Sequence, residues 1–198
     1  MALGHSLLAA LVHGPASGYD LSKLFDSGMS DFWRASSQQI YAELRKLDEQ
    51  GLIEGEVSKR ENRPQRRVYE LTEAGRRKLH EFTSAAPRPP VVRDEMMVKL
   101  YAIDAADVAA TVEDLRTRAA SSDSRVTELR QLATAMRADR SHEEYLLGGA
   151  PLGPYLTCLL GIGHHAESAQ VCRWIADVLT ARADGAEHPP GDPIDFVA

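Results

Sequence analysis

The hydrophobic residues between positions 37 and 50 recur at the spacing of an amphipathic helix. At about 100° per residue, Ile40, Leu44 and Leu47 fall on one narrow stripe of that helix. Gly51, which adopts a left-handed conformation at little cost, stands where the helix would end. The pattern therefore predicts a short helix that buries this stripe and exposes its opposite side.

The opposite side of the helix carries polar groups suited to DNA. Ser36 and Ser37 stand at its start, where their hydroxyls can accept hydrogen bonds from free backbone N–H groups or lie near a phosphate. Gln38, Tyr41 and Arg45 face outward, and such side chains read base edges or bond phosphates in a major groove. We predict DNA contacts from these five residues. An ordinary surface helix is the alternative, because its outer face is polar too.

Two short runs with partly alternating apolar residues follow and predict a β-hairpin. They span residues 52–57 and 67–71, and the tip between them is polar. Residues 59–78 contain eight basic and three acidic side chains. A basic hairpin beside the helix can straddle phosphates and release their counterions, although a solvated charged loop is the alternative. The residues expected to contact DNA here are Arg60, Arg63, Arg66 and Arg67.

The N-terminal segment predicts two further helices. Leucines recur at helical spacing over residues 3–11, and a second apolar stripe covers residues 21–25. Ser17 can cap the second helix with Asp20 three residues further on. Three helices followed by a hairpin form a winged helix-turn-helix domain, which we place at residues 1–83.

The rest of the chain predicts a linker and a second, helical domain. Residues 84–92 are rich in proline, residues 93–185 have helical patterning, and residues 186–198 are expected to be a flexible tail. The fold class is thus mainly α with a small β-hairpin: a winged helix-turn-helix domain followed by an α-helical dimerisation domain.

The second domain has a seam of apolar and small residues in steps of four and three. The seam contains Val108, Val112, Leu115, Ala119, Ser122, Val126, Leu129, Ala133 and Met136. It extends over a segment of about 37 residues, roughly 55 Å as one helix, and a break near Ser121-Ser122 is an alternative. The small N-terminal domain cannot cover so long a helix, so we expect the helix to pair with a second chain. The expected interface residues are Val108, Val112, Leu115, Leu156, Leu160, Val171, Trp174 and Val178.

The charge is unevenly distributed between the two halves. The chain has a net charge of −6. Residues 1–86 contain 12 basic and 12 acidic side chains, whereas residues 87–198 contain 11 and 17. An N-terminal half with no net charge and a basic hairpin is compatible with DNA binding, although the net charge of the whole chain is negative.

Three segments together resemble the PadR-type transcriptional regulators. They are LLAALVHGPASGYDLSKLF (7–25), FWRASSQQIYAELRKLDEQGLIEGEV (32–57) and RRVYELTEAGRRKL (66–79). The resemblance covers roughly residues 3–82. The matching positions are Gly18, Tyr19, Leu21, Phe32, Trp33, Tyr41, Leu44, Leu47, Gly51, Leu52, Tyr69, Leu71, Thr72 and Gly75. Gln38, Gln39 and Ala42 depart from the commoner family residues and leave the operator sequence open.

The resemblance implies a homodimeric regulator, most often a repressor, that binds a near-palindromic operator in double-stranded DNA. A small-molecule effector that prefers one dimer geometry would change the spacing of the two recognition helices. Trp174 is the aromatic residue that we consider for an effector contact, with core packing as the alternative.

Catalysis and metal binding have little support in the sequence. Cys158, Cys172 and the adjacent pair His164-His165 lack the spacing of a metal site, and no phosphate loop or nucleophile elbow occurs. We expect neither an enzyme nor a cofactor; a protein-interaction module without specific DNA binding is the remaining alternative. Residues 7–12 are too short for a signal peptide, and no apolar run approaches about 20 residues, so we expect a cytoplasmic protein.

Overall fold

The chain divides in the proline-rich region into two units, Met1–Pro90 and Val91–Ala198. The computed structural model describes residues 2–27, 33–58, 66–87, 89, 93–149 and 151–191. The first unit contains α1 (Ala2–Ala10), β1 (Ala16–Ser17), α2 (Gly18–Ser27), α3 (Ser37–Glu49), β2 (Ile53–Ser58), β3 (Arg66–Leu71) and α4 (Glu73–Ser84). The second contains α5 (Glu95–Tyr101), α6 (Val108–Arg137), α7 (His142–Leu147) and α8 (Gly153–Ala183).

The strands of the first unit form a small antiparallel sheet in the order β1-β3-β2. Strand β3 lies in the middle, with Tyr69 opposite Ala16 on one side and opposite Gly55 on the other. The expected hairpin is therefore confirmed. The two-residue strand β1, which precedes α2, was not expected from the sequence.

Three helices and the sheet enclose the core of the first unit. Its buried residues are Leu7, Leu8, Leu11, Leu21, Phe25, Ile40, Leu44, Leu47, Ile53, Tyr69 and Leu71. The stripe predicted on α3 is buried as expected, since Ile40 and Leu44 are both 0% exposed. Trp33 packs against the edge of this core. The architecture is that of a winged helix-turn-helix.

The start of α4 joins the hairpin to the end of α3. The Thr72 side chain accepts a hydrogen bond from the N–H of Gly75 at 3.1 Å and donates one to the carbonyl of Gly51 at 2.7 Å. A Cβ at Gly75 would lie 2.0 Å from the carbonyl oxygen of Leu52, so only glycine fits. This contact holds the hairpin base against the recognition helix.

In the second unit, α6 and α8 pack along each other within one chain. Leu115, Ala119, Ala169, Cys172 and Ala176 form a buried cluster between them. Small residues permit close approach of the two helices, and α6 is continuous across the position where a break was considered. The seam on α6 was expected to pair with a second chain. Most of it is instead buried against the same chain, because a neighbouring helix with matching small residues already covers it.

Helix α7 closes a second cluster at the other end of this helix pair. Tyr145 and Tyr155 pack at 4.6 Å between ring centroids, and Nδ1 of His142 lies 2.8 Å from the Tyr155 hydroxyl. The Cys158 thiol donates a hydrogen bond to the carbonyl of Leu129. Both cysteines of the chain are buried free thiols.

Part of the expected flexible tail packs on the second unit. Beyond the end of α8 the chain returns, and the indole N–H of Trp174 donates to the carbonyl of Pro190 at 3.3 Å. Over the described residues no helix is long and apolar enough to cross a membrane. In the same part of the chain, no three His, Cys, Asp or Glu side chains gather in a way that could hold a metal ion.

Candidate nucleic-acid interface

The recognition helix α3 begins with a complete capping box. The Ser36 hydroxyl accepts from the N–H of Gln39 at 3.3 Å, and the Gln39 amide oxygen accepts from the N–H of Ser36 at 2.9 Å. Ser36 therefore has a structural role at the cap. Ser37, one position further, is exposed.

The outward face of α3 is solvent-exposed along the length that the sequence indicated. Gln38, Tyr41 and Arg45 lie on it, and Tyr41 is 44% exposed. The small side chain of Ala42, also exposed, lies between them. Such a face can approach the edges of base pairs closely, because its amide, hydroxyl and guanidinium groups extend from a helix without bulky neighbours.

The ring of Tyr41 lies on the first residue of α2. A Cβ at Gly18 would meet Tyr41 Cε1 at 2.4 Å, so the ring can occupy this place only above a glycine. Tyr41 is consequently directed toward the space between α2 and the hairpin. Pairing of Gly18 with Tyr41 explains physically why both residues belong to the matching motif positions.

Arg67, which was expected to contact DNA, is bound within the chain. Its Nη2 lies 2.7 Å from Asp48 Oδ2, and its Nε donates to the carbonyl of Gly55 at 3.3 Å. Asp48 Oδ1 also accepts from the N–H of Gly55 at 3.1 Å. We call this group of three residues the helix–wing clamp, because it joins the C-terminal turn of α3 to both strands of the hairpin.

Arg66 points toward a different partner, the exposed ring of Tyr19. Its guanidinium carbon lies 4.9 Å from the ring centroid, a cation–π distance. Tyr19 is 50% exposed and was not selected from the sequence, although it stands in the Gly18-Tyr19 motif. Asp20 follows it, and the hydrogen bond from the Ser17 hydroxyl, assisted by the charge of Arg66, holds the pKa of its carboxyl below the usual value.

The other two hairpin arginines, Arg60 and Arg63, lie outside the described residues. Their contribution to DNA binding therefore stays a prediction. Among the described residues of the first unit, the outward face of α3 and Arg66 are the predicted DNA contacts that are exposed and accessible to an external partner.

The residues expected at a dimer interface fall into three classes. Leu115 is 0% exposed inside the chain, whereas Leu156 and Leu160 on α8 are 49% and 75% exposed. The remaining five are half-buried: Val108, Val112, Val171, Trp174 and Val178. Helix α5 adds an exposed apolar group that the sequence did not indicate, formed by Met97, Val98 and Tyr101.

Two family models together match most of the chain. The model described as "Transcriptional regulator PadR-like family" matches residues 7–81, and "Virulence activator alpha C-term" matches residues 92–180. A probable transcriptional regulator of Mycobacterium tuberculosis, Rv1176c, is 30% identical over 193 residues, which are 91% of this chain and 97% of that protein.

The negative transcriptional regulator PadR of Bacillus subtilis is also similar. It is 35% identical over 102 residues, an alignment of 51% of this chain and 56% of that protein. Its crystal structure in complex with operator DNA matches with a TM-score of 0.75 at 24% identity, covering 90% of this chain and 99% of that one. Its complex with p-coumaric acid matches with a TM-score of 0.69 at 24% identity, covering 90% and 95%.

Proposed function

Because the chain belongs to the PadR-like family of transcriptional regulators, we propose that it binds operator DNA as a homodimer and represses transcription there. The family assignment confirms the expectation of a regulator and not an enzyme. A regulator that acts on DNA works in the cytoplasm, where the chromosome lies.

The observation that carries the proposal is the exposed polar face of α3 beside the hairpin. Gln38 and Arg45 stand where side chains of a recognition helix contact base edges and phosphates. Ser37 lies at the N-terminal end of the same helix, next to the capping box. Arg60, Arg63 and Arg66 would extend the contact along the duplex from the hairpin. Arg67 supports this surface from behind through the clamp.

Dimerisation follows from the symmetry of operators. Two copies related by a two-fold axis place their recognition helices about one duplex turn, roughly 34–36 Å, apart on a near-palindrome. The exposed leucines of α8 fit a role in pairing, because Leu156 and Leu160 lie one helical turn apart and leave a bare apolar stripe that Leu152 continues.

An effector would act on the dimer geometry. Binding of a small molecule to one arrangement of the two helical domains changes the spacing of the recognition helices and hence the operator affinity. B. subtilis PadR has the same fold and was crystallised with operator DNA and with p-coumaric acid. Trp174 is a weak candidate for the contact, because its indole already bonds to Pro190 of the same chain.

The proposal is tested by titrating the full chain against the DNA upstream of its own gene at several salt concentrations. We expect specific binding that weakens steeply with salt, and a loss of about tenfold or more for Gln38→Ala, because a bidentate amide contact discriminates bases by about 1–3 kcal/mol. Ala120→Gln, at an exposed position of α6, is the control. Equal affinity for promoter and unrelated DNA would contradict the proposal and favour a protein-interaction module.

A further inference from the structure

A small basic pocket lies between the start of α2, the recognition helix and the hairpin. It has a volume of about 290 Å³ and is lined by Ser17, Gly18, Tyr19, Tyr41, Arg66, Arg67 and Tyr69. That volume corresponds to roughly ten water molecules at about 30 Å³ each. The pocket is therefore large enough for a hydrated anionic group. We call it the Tyr19 pocket.

Three polar side chains at the opening of the Tyr19 pocket, those of Tyr19, Tyr41 and Arg66, have no hydrogen-bond or ion-pair partner among the described residues. Tyr19 and Tyr41 are about half exposed, and over the described residues neither hydroxyl makes a hydrogen bond. Arg66 forms no ion pair with a described carboxylate within salt-bridge distance and rests on the Tyr19 ring. Two phenolic donors and one guanidinium thus converge on the same opening.

Contacts with neighbouring residues position these side chains. Tyr41 is held against Gly18, where an added Cβ would lie 2.4 Å from its ring. Arg66 is held over Tyr19 at 4.9 Å by a cation–π contact, which restricts a side chain that is otherwise flexible. Asp48 holds Arg67 at the inner side, so its charge is already balanced. Arg66 therefore supplies the unpaired positive charge of the opening, and the nearby Asp20 carboxylate, which accepts a hydrogen bond from Ser17, offsets part of it.

We propose that the Tyr19 pocket binds one phosphodiester group of the operator backbone, with Arg66 as the charge partner and the Tyr19 and Tyr41 hydroxyls as hydrogen-bond donors. The inference rests on the proposed DNA-binding function and deepens it. The guanidinium can only donate hydrogen bonds, and each phenolic hydroxyl can donate one. Both kinds of group therefore suit phosphate oxygens, which can only accept. The pocket borders α3, so a phosphate bound there fixes the depth of the helix in the groove without reading sequence.

The test separates the charge from the hydroxyl. We expect Arg66→Gln to weaken operator binding and to make the slope of log affinity against log salt less steep by about 1.8 for a dimer, since each phosphate contact contributes about 0.9. Tyr19→Phe keeps the ring below Arg66 and removes only the hydroxyl. We expect it to weaken binding about tenfold with an unchanged salt slope, because a neutral donor releases no counterion.

A single neutral phosphate in the DNA identifies the contact. Methylphosphonate substitution is moved one position at a time along the bound DNA, and we expect one position per half-site at which wild type loses affinity but Arg66→Gln does not. Arg130→Gln, at an exposed position of α6, is the matched control and should retain the wild-type pattern. Circular dichroism verifies that each variant is folded.

Two results would overturn the inference. Unchanged affinity and salt slope in both Arg66→Gln and Tyr19→Phe, with Gln38→Ala still impaired, would reject the pocket and leave the DNA-binding function standing. Loss of specific binding by the wild type itself would instead reject the proposed function. Inorganic phosphate is the remaining probe: we expect it to displace wild type from the operator more than sodium chloride does at equal ionic strength, and an equal excess displacement of Arg66→Gln would place the anion site outside the pocket.

Discussion

At the scale of single residues, two glycines of the first unit make room for side chains that belong to other elements. Gly18 gives the Tyr41 ring its place, and Gly55 lies where a Cβ would meet Arg67 Nε at 2.3 Å. Both glycines serve a side chain from another element and not a turn of their own. Arg67 illustrates the consequence: this arginine of the basic hairpin binds Asp48 and Gly55 of its own chain, and its contact with DNA stays a prediction.

Replacement of Asp48 by asparagine tests this scaffold role. Electrostatics alone predicts tighter DNA binding, because a negative charge near the DNA is removed. The helix–wing clamp predicts the opposite, and we expect operator affinity to fall by about fivefold, the equivalent of roughly 1 kcal/mol, as the wing loosens. The measurement is a DNA titration at fixed salt.

Glu49 provides the control for Asp48. It is exposed in the same turn of α3, and Glu49→Gln removes the same charge without touching the clamp. We expect Glu49→Gln to bind DNA as well as or better than wild type. If Asp48→Asn also binds more tightly, Arg67 is a direct phosphate contact and the scaffold role is wrong.

At the scale of elements, the long helices α6 and α8 show how an apolar seam can be buried within one chain. Helix α6 has 30 residues and α8 has 31, so they match in length and bury each other along their course. An ion pair between Arg118 and Asp94, 2.6 Å apart, joins α6 to the residue that caps α5. The hydrogen bond from Arg118 holds the pKa of the Asp94 carboxyl below its usual value.

Truncation of Leu115 distinguishes packing within the chain from pairing between chains. Leu115 is completely buried between α6 and α8, so Leu115→Ala should lower the free energy of unfolding by about 2–5 kcal/mol. Leu132→Ala, at a 36% exposed position of the same helix, should cost much less. Urea unfolding followed by circular dichroism measures both. A dimer that dissociates while each chain keeps its stability would place Leu115 at the interface instead.

At the scale of the whole molecule, we expect the first unit to contact DNA and the second unit to form the dimer. The net charge of −6 resides in residues 87–198, while the head combines a neutral total with its basic hairpin. An acidic assembly domain repels DNA, so attraction is confined to the reading surface. Helices α5 and α8 of the second unit expose Met97, Val98, Tyr101, Leu156 and Leu160, so we expect this unit to meet another copy.

Charge placed on the α8 stripe should break the dimer. Leu156→Glu with Leu160→Glu buries two carboxylates in an apolar contact, a costly change, so we expect a monomer by light scattering. Operator affinity should fall by at least about a hundredfold, because one head makes only half of the contacts. Ala120→Glu, at an exposed position of α6, is the control and should stay dimeric. A dimer that persists in the double variant would locate the interface elsewhere.

The sequence by itself determined the helices and the hairpin that depend on patterns among neighbouring residues. The period of apolar residues placed α3 and its buried stripe, Ser17 and Ser36 predicted helix starts, and alternation predicted the hairpin, because each of these depends on neighbours a few positions away. The outward face of α3 followed from the same period. Motif spacing then led to the family.

Tertiary structure alone decided which distant group each side chain meets. An apolar seam specifies that a face is buried but not the helix that buries it, so the burial of Leu115 and Ala119 against α8 of the same chain was not foreseen, and the pairing expected with a second chain stays a prediction. A basic side chain specifies a charge but not its partner, so Arg67 was assigned to DNA although Asp48, 19 positions earlier, binds it. Tyr19 joined the candidate site only when folding brought Arg66 above its ring.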